Sequence, residues 1–593
     1  MTATSLAVER AMDRAVVLRL RPVVHASPVR DGVHVRGARS SFTMNGGSGL
    51  WRLWQAVSVA LADGRSREQL LELGPNPAVR AAVAMMVRQL DEHDMLVAVP
   101  PGWGESFGPA DPPARIAGWL AAVAPDPADA WQRLRSASVT VGGPGPVAAA
   151  AARALAGAGV RVRRPEQAGG EVTAPVVLAT CEASVVAAVG GEVGFVAPVS
   201  AVLTSADLTS ADLTSADPTS AVPVSAAPSG SAAAAWGQAA AIADRIGLRA
   251  GTPSPVVLAA LVGGAAAHRL VCGIAGLPDP GEDTPADAPP PAAFRHPTAL
   301  VARLDPLRAE YHPWLACAER APSVGGRIDL DAALARVAAL GDPETGVLPV
   351  LELDDLPQLP AGLARCRVGA DLVCGIGPDA GTARLSAAVG AAEHLVGLAD
   401  GVVGADSTHA EGVLLRRWVH RRHPHPQGTE LDGREWASPE ARRWFKAVTL
   451  RFGVRAELRV RRLADGVHHA ELRTRSELLG WAVEAGPADA AAFCALAAAG
   501  ALQWRAAGGN PSATVHAPCG ATPTAATDGQ HPAPWDGATG VWPAGAAERE
   551  AALQQGLRRL LGTRAPCAAP AAPNTPLTRA LAAAGFAALE VTP

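Results

Sequence analysis

A chain of 593 residues is too long for one hydrophobic core and implies three or four domains of roughly 100–200 residues each. With 49% hydrophobic and 18% charged residues it is composed as a folded protein, which excludes a wholly disordered chain. A net charge of −4 argues against a general binder of nucleic acid or of anionic membranes.

The first hundred residues read as a self-contained unit. RPVVHA (Arg21–Ala26), GVHVRG (Gly32–Gly37) and SSFTM (Ser40–Met44) are short strands separated by turn-like residues. Three helices follow, at Ser48–Asp63, Ser66–Leu73 and Asn76 to about His93. Ser66 and Gln69 form a capping box, and Asn76 with Pro77 opens the third helix. Val79, Val83, Met86, Val87 and Leu90 fall on one stripe of that helix. The order βββααα predicts a winged-helix-like module.

A linker at Pro100–Pro113 leads to SVTVGGPGPVAAAAARALAGAGVRVRRP, residues 138–165, which has the outline of a nucleotide-binding βαβ unit. Further strands are expected at Ala174–Thr180 and Glu192–Val199. Thr204–Ser231 repeats TSAD three times and reads as an exposed disordered insertion. Helical sequence resumes in SAAAAWGQAAAIADRI and PVVLAALVGGAAAHRLVCGIAGL, and Gly276–Phe294 is a second loop. From about His296 the patterns are mixed. GADLVCGIGPDAGTARLSAAVGAAEHLVG predicts strand, turn and helix, and Arg455–Ser476 a hairpin turning at Ala-Asp-Gly. PADAAAFCALAAAGALQWRA predicts a helix, Asn510–Ala546 a loop, and PLTRALAAAGFAALEVTP a closing helix and strand.

Few of these residues carry recognisable chemistry. Lys446 is the sole lysine and sits outside GxxxxGK[ST], which excludes a P-loop and leaves no context for a Schiff base. Eight cysteines without a CxxC pair indicate neither a disulfide framework nor a zinc ribbon. No GxSxG or HExxH occurs. The N-terminus lacks the pattern of a signal peptide, and every apolar run near membrane-span length is interrupted, so no membrane association is expected and the cytoplasm is the expected address.

In the βαβ unit, Gly143 and Gly145 occupy the first two glycines of GxGxxG, and Ala148 the third. Pro144 and Pro146 remove N–H donors from the loop that should cradle phosphate, and the second strand ends in Arg163 and Arg164 instead of a carboxylate. The expectation is a retained fold without a cofactor, with an NADP-dependent oxidoreductase using Gly143, Gly145 and Arg163 as the alternative. GVLLRRWVHRRHPHP offers His420, His423 and His425, with no acidic or thiol partner at ligand spacing, so a solvated basic face is expected there and no metal. Asp406, His409 and Glu411 precede it without forming a recognisable site.

A winged helix either reads DNA or grips a peptide. The third helix offers only Arg80 and Arg88 and adds Asp91, Glu92 and Asp94, which would repel phosphate, so the DNA-binding regulator is the second alternative and no nucleic-acid partner is expected. Strand addition is favoured: a peptide would join the open sheet edge at Ser40, Ser41, Phe42 and Thr43, with Val83, Met86, Val87 and Leu90 as the groove wall.

DRAVVLRLRPVVHASPVRDGVHVRGARSSFTMNGGSGLWRLWQAVSVALADGRSREQLLE resembles the PqqD-like recognition element that binds leader peptides in ribosomal peptide natural-product pathways. The strand pair around Asp31-Gly32, the helix Leu50–Leu61 and Asp63-Gly64-Arg65-Ser66 carry the likeness. The GGPGP unit resembles a degenerate ThiF-like Rossmann domain, and the pairing is similar to partner proteins of thiazole/oxazole cyclodehydratases, including those of thiopeptide pathways. GTARLSAAVGAAEHLVG and PLTRALAAAGFAALEVTP faintly resemble YcaO proteins, with Glu393 at an expected acidic position and no PxPxP tail.

The resemblance implies an α/β multidomain chain. Residues 1–100 would be the leader-binding winged-helix module, 114–318 the degenerate ThiF-like domain with the insertion 204–231, and 319–593 an α+β region echoing YcaO. It implies a non-catalytic subunit that holds a precursor peptide's leader and presents its Cys/Ser/Thr core to a separate YcaO cyclodehydratase. A homodimer is left open.

Overall fold

The computed structural model describes residues 16–592 apart from 165–174, 200–229, 283–296, 316–329, 423–427 and 522–541, and shorter gaps at 39, 48, 106–107, 109–110, 181, 250–251, 354, 398–399, 511–512 and 573–574. The expected insertion at 204–231 therefore lies, up to residue 229, outside the described residues. The architecture is mixed α/β with several separate sheets. The chain divides into two compact units, residues 1–289 with 300–310, and 290–299 with 311–593.

The first unit opens with β1 (Val17–Leu20), β2 (His25–Val29), β3 (Gly32–Arg36) and β4 (Ser41–Asn45), then α1 (Gly49–Asp63), α2 (Arg67–Leu71), α3 (Pro77–Glu92) and β5 (Leu96–Val99). Strands β2, β3 and β4 form an antiparallel sheet in that order. Gly32 must be glycine, because a Cβ there would lie 1.8 Å from the Met44 carbonyl oxygen. Leu50, Trp54, Val57 and Leu61 recur at helical period on α1 and pack with Val33, Val35 and Met44 of the sheet. The Ser66/Gln69 capping box and the Asn76 cap form as expected.

The strand expected over Arg21–Ala26 is corrected. The chain turns there, with the Val24 N–H donating to the Arg21 carbonyl, and β1 instead pairs antiparallel with β5, Val17 opposite Val99. Arg21 is buried at this corner. Its guanidinium donates to the Ala121 and Ala124 carbonyls at 3.1 and 3.0 Å, to the Asp94 carbonyl at 3.0 Å and to the Asp94 carboxylate at 2.7 Å.

Helices α4 (Ala114–Val123) and α5 (Pro127–Ser136) precede β6 (Ser138–Gly142), α6 (Gly145–Gly157), β7 (Arg161–Arg163), β8 (Val176–Ala179), β9 (Ser184–Gly190) and β10 (Val193–Val199). After α7 (Gly230–Arg245) and α8 (Val256–Ala275) come β11 (Thr298–Leu304) and β12 (Leu307–Pro313). The sheet order is β12-β11-β10-β9-β8-β6-β7. The βαβ outline is real, since β6 and β7 are parallel across α6. Beyond that unit the sheet is antiparallel: β6/β8, β8/β9, β9/β10 and β10/β11 all pair antiparallel. A two-residue turn at Gly191-Glu192, with Gly191 at φ +61°, joins β9 to β10, and a turn that short permits only antiparallel pairing.

Helix α8 is long and apolar enough by length and composition to cross a membrane, and 56% of its most apolar window is buried inside the protein. Gly263 lets it approach α6, since a Cβ there would stand 2.5 Å from the Val147 carbonyl oxygen.

The second unit contains α9 (Leu330–Leu340), the hairpin β13 (Gly362–Val368) and β14 (Asp371–Gly377), α10 (Ala380–Val396), β15 (Val402–Gly404) and α11 (Ser407–Arg422). A short β16 (Thr429–Glu430), α12 (Pro439–Lys446), β17 (Glu457–Ala464), β18 (Val467–Arg473), β19 (Leu478–Glu484) and α13 (Pro487–Ala506) follow. Last come β20 (Thr514–His516), α14 (Glu550–Leu561), β21 (Cys567–Pro570), α15 (Pro576–Ala583) and β22 (Ala587–Thr592). The expected strand–turn–helix is β14 to α10, capped where Asp379 accepts from the Thr382 N–H at 2.7 Å. The expected hairpin is β17/β18, turning at Asp465-Gly466 with Gly466 at φ +66°. Helix α13 is apolar on all sides and buried on most of them, as its Ala-rich sequence requires.

Candidate functional site

The margin of the first sheet is set by hydrogen-bond register. At one end of the β3/β4 hairpin the Gly37 N–H donates to the Ser40 carbonyl at 2.9 Å, and at the other the Gly46 N–H donates to Asp31 at 2.9 Å. Bonded and non-bonded pairs alternate in an antiparallel ladder, so Val35↔Phe42 and Val33↔Met44 are the bonded pairs. Ser41, Thr43 and Asn45 therefore turn their N–H and C=O groups away from β3. Among the described residues β4 pairs with β3 alone, and this margin is open.

The same alternation fixes the opposite margin. With Val33 and Val35 bonded to β4, the β3 residues Gly32, His34 and Arg36 bond to Val29, Ser27 and His25 of β2. Ala26 and Pro28 then face outward, and Pro28 has no N–H to offer. A proline at an edge blunts strand addition. The sheet thus has one blocked margin and one open margin.

The expected peptide-binding residues divide on inspection. Ser41 and Thr43 are exposed on β4, with Thr43 Oγ1 3.0 Å from His34 Nδ1. Ser40 donates its hydroxyl to the His93 carbonyl at 3.0 Å, and the Phe42 ring stacks on the His93 imidazole, centroids 4.5 Å apart. Val83, Met86, Val87 and Leu90 are 0, 0, 2 and 0% exposed and belong to the core that holds α3 to the sheet. In the free chain these four side chains are covered by the protein's own core, beside Val33, Val35, Met44, Leu50 and Trp54. The stripe of α3 that continues from His93 at helical spacing carries Gln89 and Ala82. The Gln89 Oε1 is buried with no hydrogen-bond partner among the described residues. Sequence periodicity could locate the apolar stripe but not the half-buried one beside it.

The glycine turn before α6 is occupied by packing. Gly143 sits at φ +116°, and a Cβ there would lie 3.0 Å from the Pro175 carbonyl oxygen and 3.1 Å from Val176 Cα of β8. Gly145 adopts φ +86°. Gly143, the tight-turn glycine, packs against the chain's own β8 backbone, Pro144 and Pro146 supply no N–H to a phosphate, and Arg163 is exposed on β7. These residues do not fit a dinucleotide.

In the second unit a cavity of about 40 Å³ is lined by Thr382, His409, Arg416, Arg417, His516 and Cys519 among others. That is room for about three waters, far below the hundreds of cubic ångströms a nucleotide needs. Glu393 accepts from Arg417 at 3.0 Å and lies 3.4 Å from His516 Nε2. Burial pushes its carboxyl up, but the His516 and Arg417 partners outweigh that and hold it at about 2. Buried Arg416 reaches Glu550 through two bonds of 2.8 and 2.6 Å and Glu484 at 2.9 Å. Asp406 caps α11 by accepting from the His409 N–H at 2.7 Å, while burial drives the His409 imidazole down to about 4. Glu411 pairs with Arg558. The three residues thus anchor a helix.

At the end of α11, His420 is half-buried and stacks on Trp481, centroids 4.1 Å apart. Burial, then Arg473 and Arg421, holds its imidazole down to about 4, and the ring is neutral at neutral pH. The basic-face expectation is corrected for this residue: it points into the protein toward His469. His423 and His425 lie outside the described residues.

No family model and no curated protein matches the chain. Among solved structures it is similar to a heterocyclase in complex with substrate and cofactor, at 12% identity over 82% of each chain and a TM-score of 0.45. The heterocyclase TruD aligns at 11% identity over 97% of this chain and 94% of its own, with a TM-score of 0.43. MccB of E. coli, bound to succinimide, aligns at 10% identity over 50% of this chain and 96% of its own, with a TM-score of 0.30. Scores of this size set no equivalence between residues, and the residues above stand on their own geometry.

Proposed function

We propose that this chain is a peptide-capturing subunit of an azoline-forming system. An extended leader peptide adds to β4 as a fourth strand, and its core of Cys, Ser and Thr residues is thereby held near a separate YcaO cyclodehydratase. The single observation that carries the reading is the asymmetry of the first sheet: β4 turns the backbone groups of Ser41, Thr43 and Asn45 outward while Pro28 blunts β2. Backbone bonds would set register. Side chains of the incoming strand would fall between β4 and the stripe of α3 bearing Ala82, Gln89 and His93, where the unpartnered Gln89 Oε1 can accept from it.

The identity of the guest as a ribosomal precursor leader is what the resemblance of residues 14–97 implies. Tethering the leader raises the effective concentration of the core at the partner, which lifts apparent affinity by roughly 10²–10⁴-fold without new chemistry in this chain. The test is fluorescence anisotropy of a labelled leader, taken from a Cys/Ser-rich precursor encoded beside this chain, against the full-length protein. Saturable binding that Thr43→Pro weakens supports the reading, and a leader that does not bind at all sinks it.

A further inference from the structure

A group of ionisable side chains in the second unit has no part in peptide capture. We propose that His420, His469 and Glu471 form a three-ligand site for a divalent transition-metal ion of the zinc class. One ligand atom from each lies within 4.8 Å of the other two.

The distances suit such an ion. His420 Nδ1 and His469 Nε2 are 3.1 Å apart. Two nitrogens bound at about 2.0–2.1 Å to a tetrahedral Zn²⁺ stand about 3.3 Å apart, so the pair needs a shift of a few tenths of an ångström. Glu471 brings a carboxylate whose Oε2 accepts from Arg473 at 3.2 Å and whose Oε1 is buried with no hydrogen-bond partner among the described residues. A buried carboxylate oxygen without a donor costs about 1–3 kcal/mol, and a cation would remove that cost. Two imidazoles and one carboxylate make up a donor set that zinc takes, with a fourth position left for water or a guest.

Local structure presents the set without long loops. His469 and Glu471 stand two apart on β18, which lies between β17 and β19, so they share one face of that sheet. Trp481 is opposite Glu471 in register on β19, and its ring stacks on the His420 imidazole at an interplanar angle of 0°, fixing the third ligand from α11. The surrounding charges oppose the ion: Arg473 and Arg421 act on His420, and Arg459 and Arg461 lie opposite Glu471 and His469 on β17. That opposition favours an ion whose bonds to imidazole nitrogen are strong, such as Zn²⁺ or Co²⁺, over Ca²⁺ or Mg²⁺.

The test uses the full chain, stripped with a chelator and titrated with Co²⁺, then with Zn²⁺. The expected result is one Co²⁺ per chain, visible d–d absorption, quenching of tryptophan emission and displacement by Zn²⁺. Glu471→Gln, which keeps the side chain's shape, and His469→Ala each lower the affinity at least tenfold, while Trp481→Phe keeps binding and loses part of the quenching. Should His469→Ala fail to fold by circular dichroism, Glu471→Gln decides alone. No uptake by the wild type at tens of micromolar Co²⁺, or uptake that Glu471→Gln leaves unchanged, overturns the assignment.

Discussion

Thr43→Pro deletes the one N–H at the centre of the open margin and leaves the hairpin's own ladder intact. Phe42 and Met44 make the bonds to β3, so a proline at Thr43 removes no backbone bond inside the protein and costs only the exposed side-chain contact between Thr43 Oγ1 and His34 Nδ1. Phe42→Pro would instead strip a donor from the β3/β4 ladder and unfold the margin it is meant to probe. The lost bond to a guest strand is worth about 1 kcal/mol, or about fivefold in affinity, and the ring would crowd the carbonyl of the incoming strand, raising the loss to about tenfold or more. Leader anisotropy with the full chain reads this directly. Ala26→Pro serves as the control, because it places a second proline on the margin that Pro28 already blunts, and it is expected to change affinity less than twofold. Wild-type affinity in Thr43→Pro with an unchanged melting profile, or equal weakening by Ala26→Pro, refutes the strand-addition reasoning.

Arg21→Ala strips donors from three carbonyls and a carboxylate, and should lower the stability of the N-terminal region by about 3 kcal/mol in urea titration; a change under about 0.5 kcal/mol would contradict the anchoring role. Glu393 is held at about 2 against a usual 4.5, so its contribution is complete above the usual value and is lost as the pH falls through about 2. Melting temperatures between pH 5 and pH 2.5 (roughly the window of that linkage) should fall more steeply in the wild type than in Glu393→Gln, and equal slopes would contradict the pairing. Gly143→Ala places a Cβ against the Pro175 carbonyl at φ +116° and should destabilise by about 1–3 kcal/mol, whereas a neutral effect would mean that the turn is not packed as described.

What the sequence disclosed was local. The Ser66 box, the Asn76 cap, the β17/β18 turn at Gly466 and the glycine turn before α6 were all legible, because each depends on residues three or four apart. The pairing of Val17 with Val99 was not, since the partner strand lies eighty positions on and nothing local marks it. The third helix showed its apolar stripe, yet a stripe says only that something covers it, and Val83, Met86, Val87 and Leu90 turned out to be covered by the protein itself. Open and blocked margins could be told apart only with the register in hand, for Pro28 is one turn residue among many until the outward direction of its backbone nitrogen is known. His469 and Glu471 reach His420 of α11 from strand β18, some fifty positions on and beyond any spacing rule for metal ligands. The glycine turn marked the βαβ unit and carried no signal of the antiparallel strands that follow it, which the short connections after β8 impose.

Residue-resolved amide hydrogen exchange on the full chain, with and without the leader, tests the central claim most directly. The account predicts that Ser41, Thr43 and Asn45 become protected on binding, while Phe42 and Met44, already bonded to β3, change little. Saturating leader that leaves Ser41, Thr43 and Asn45 exchanging as in the free chain, or that protects Ala26 on β2 instead, would contradict it.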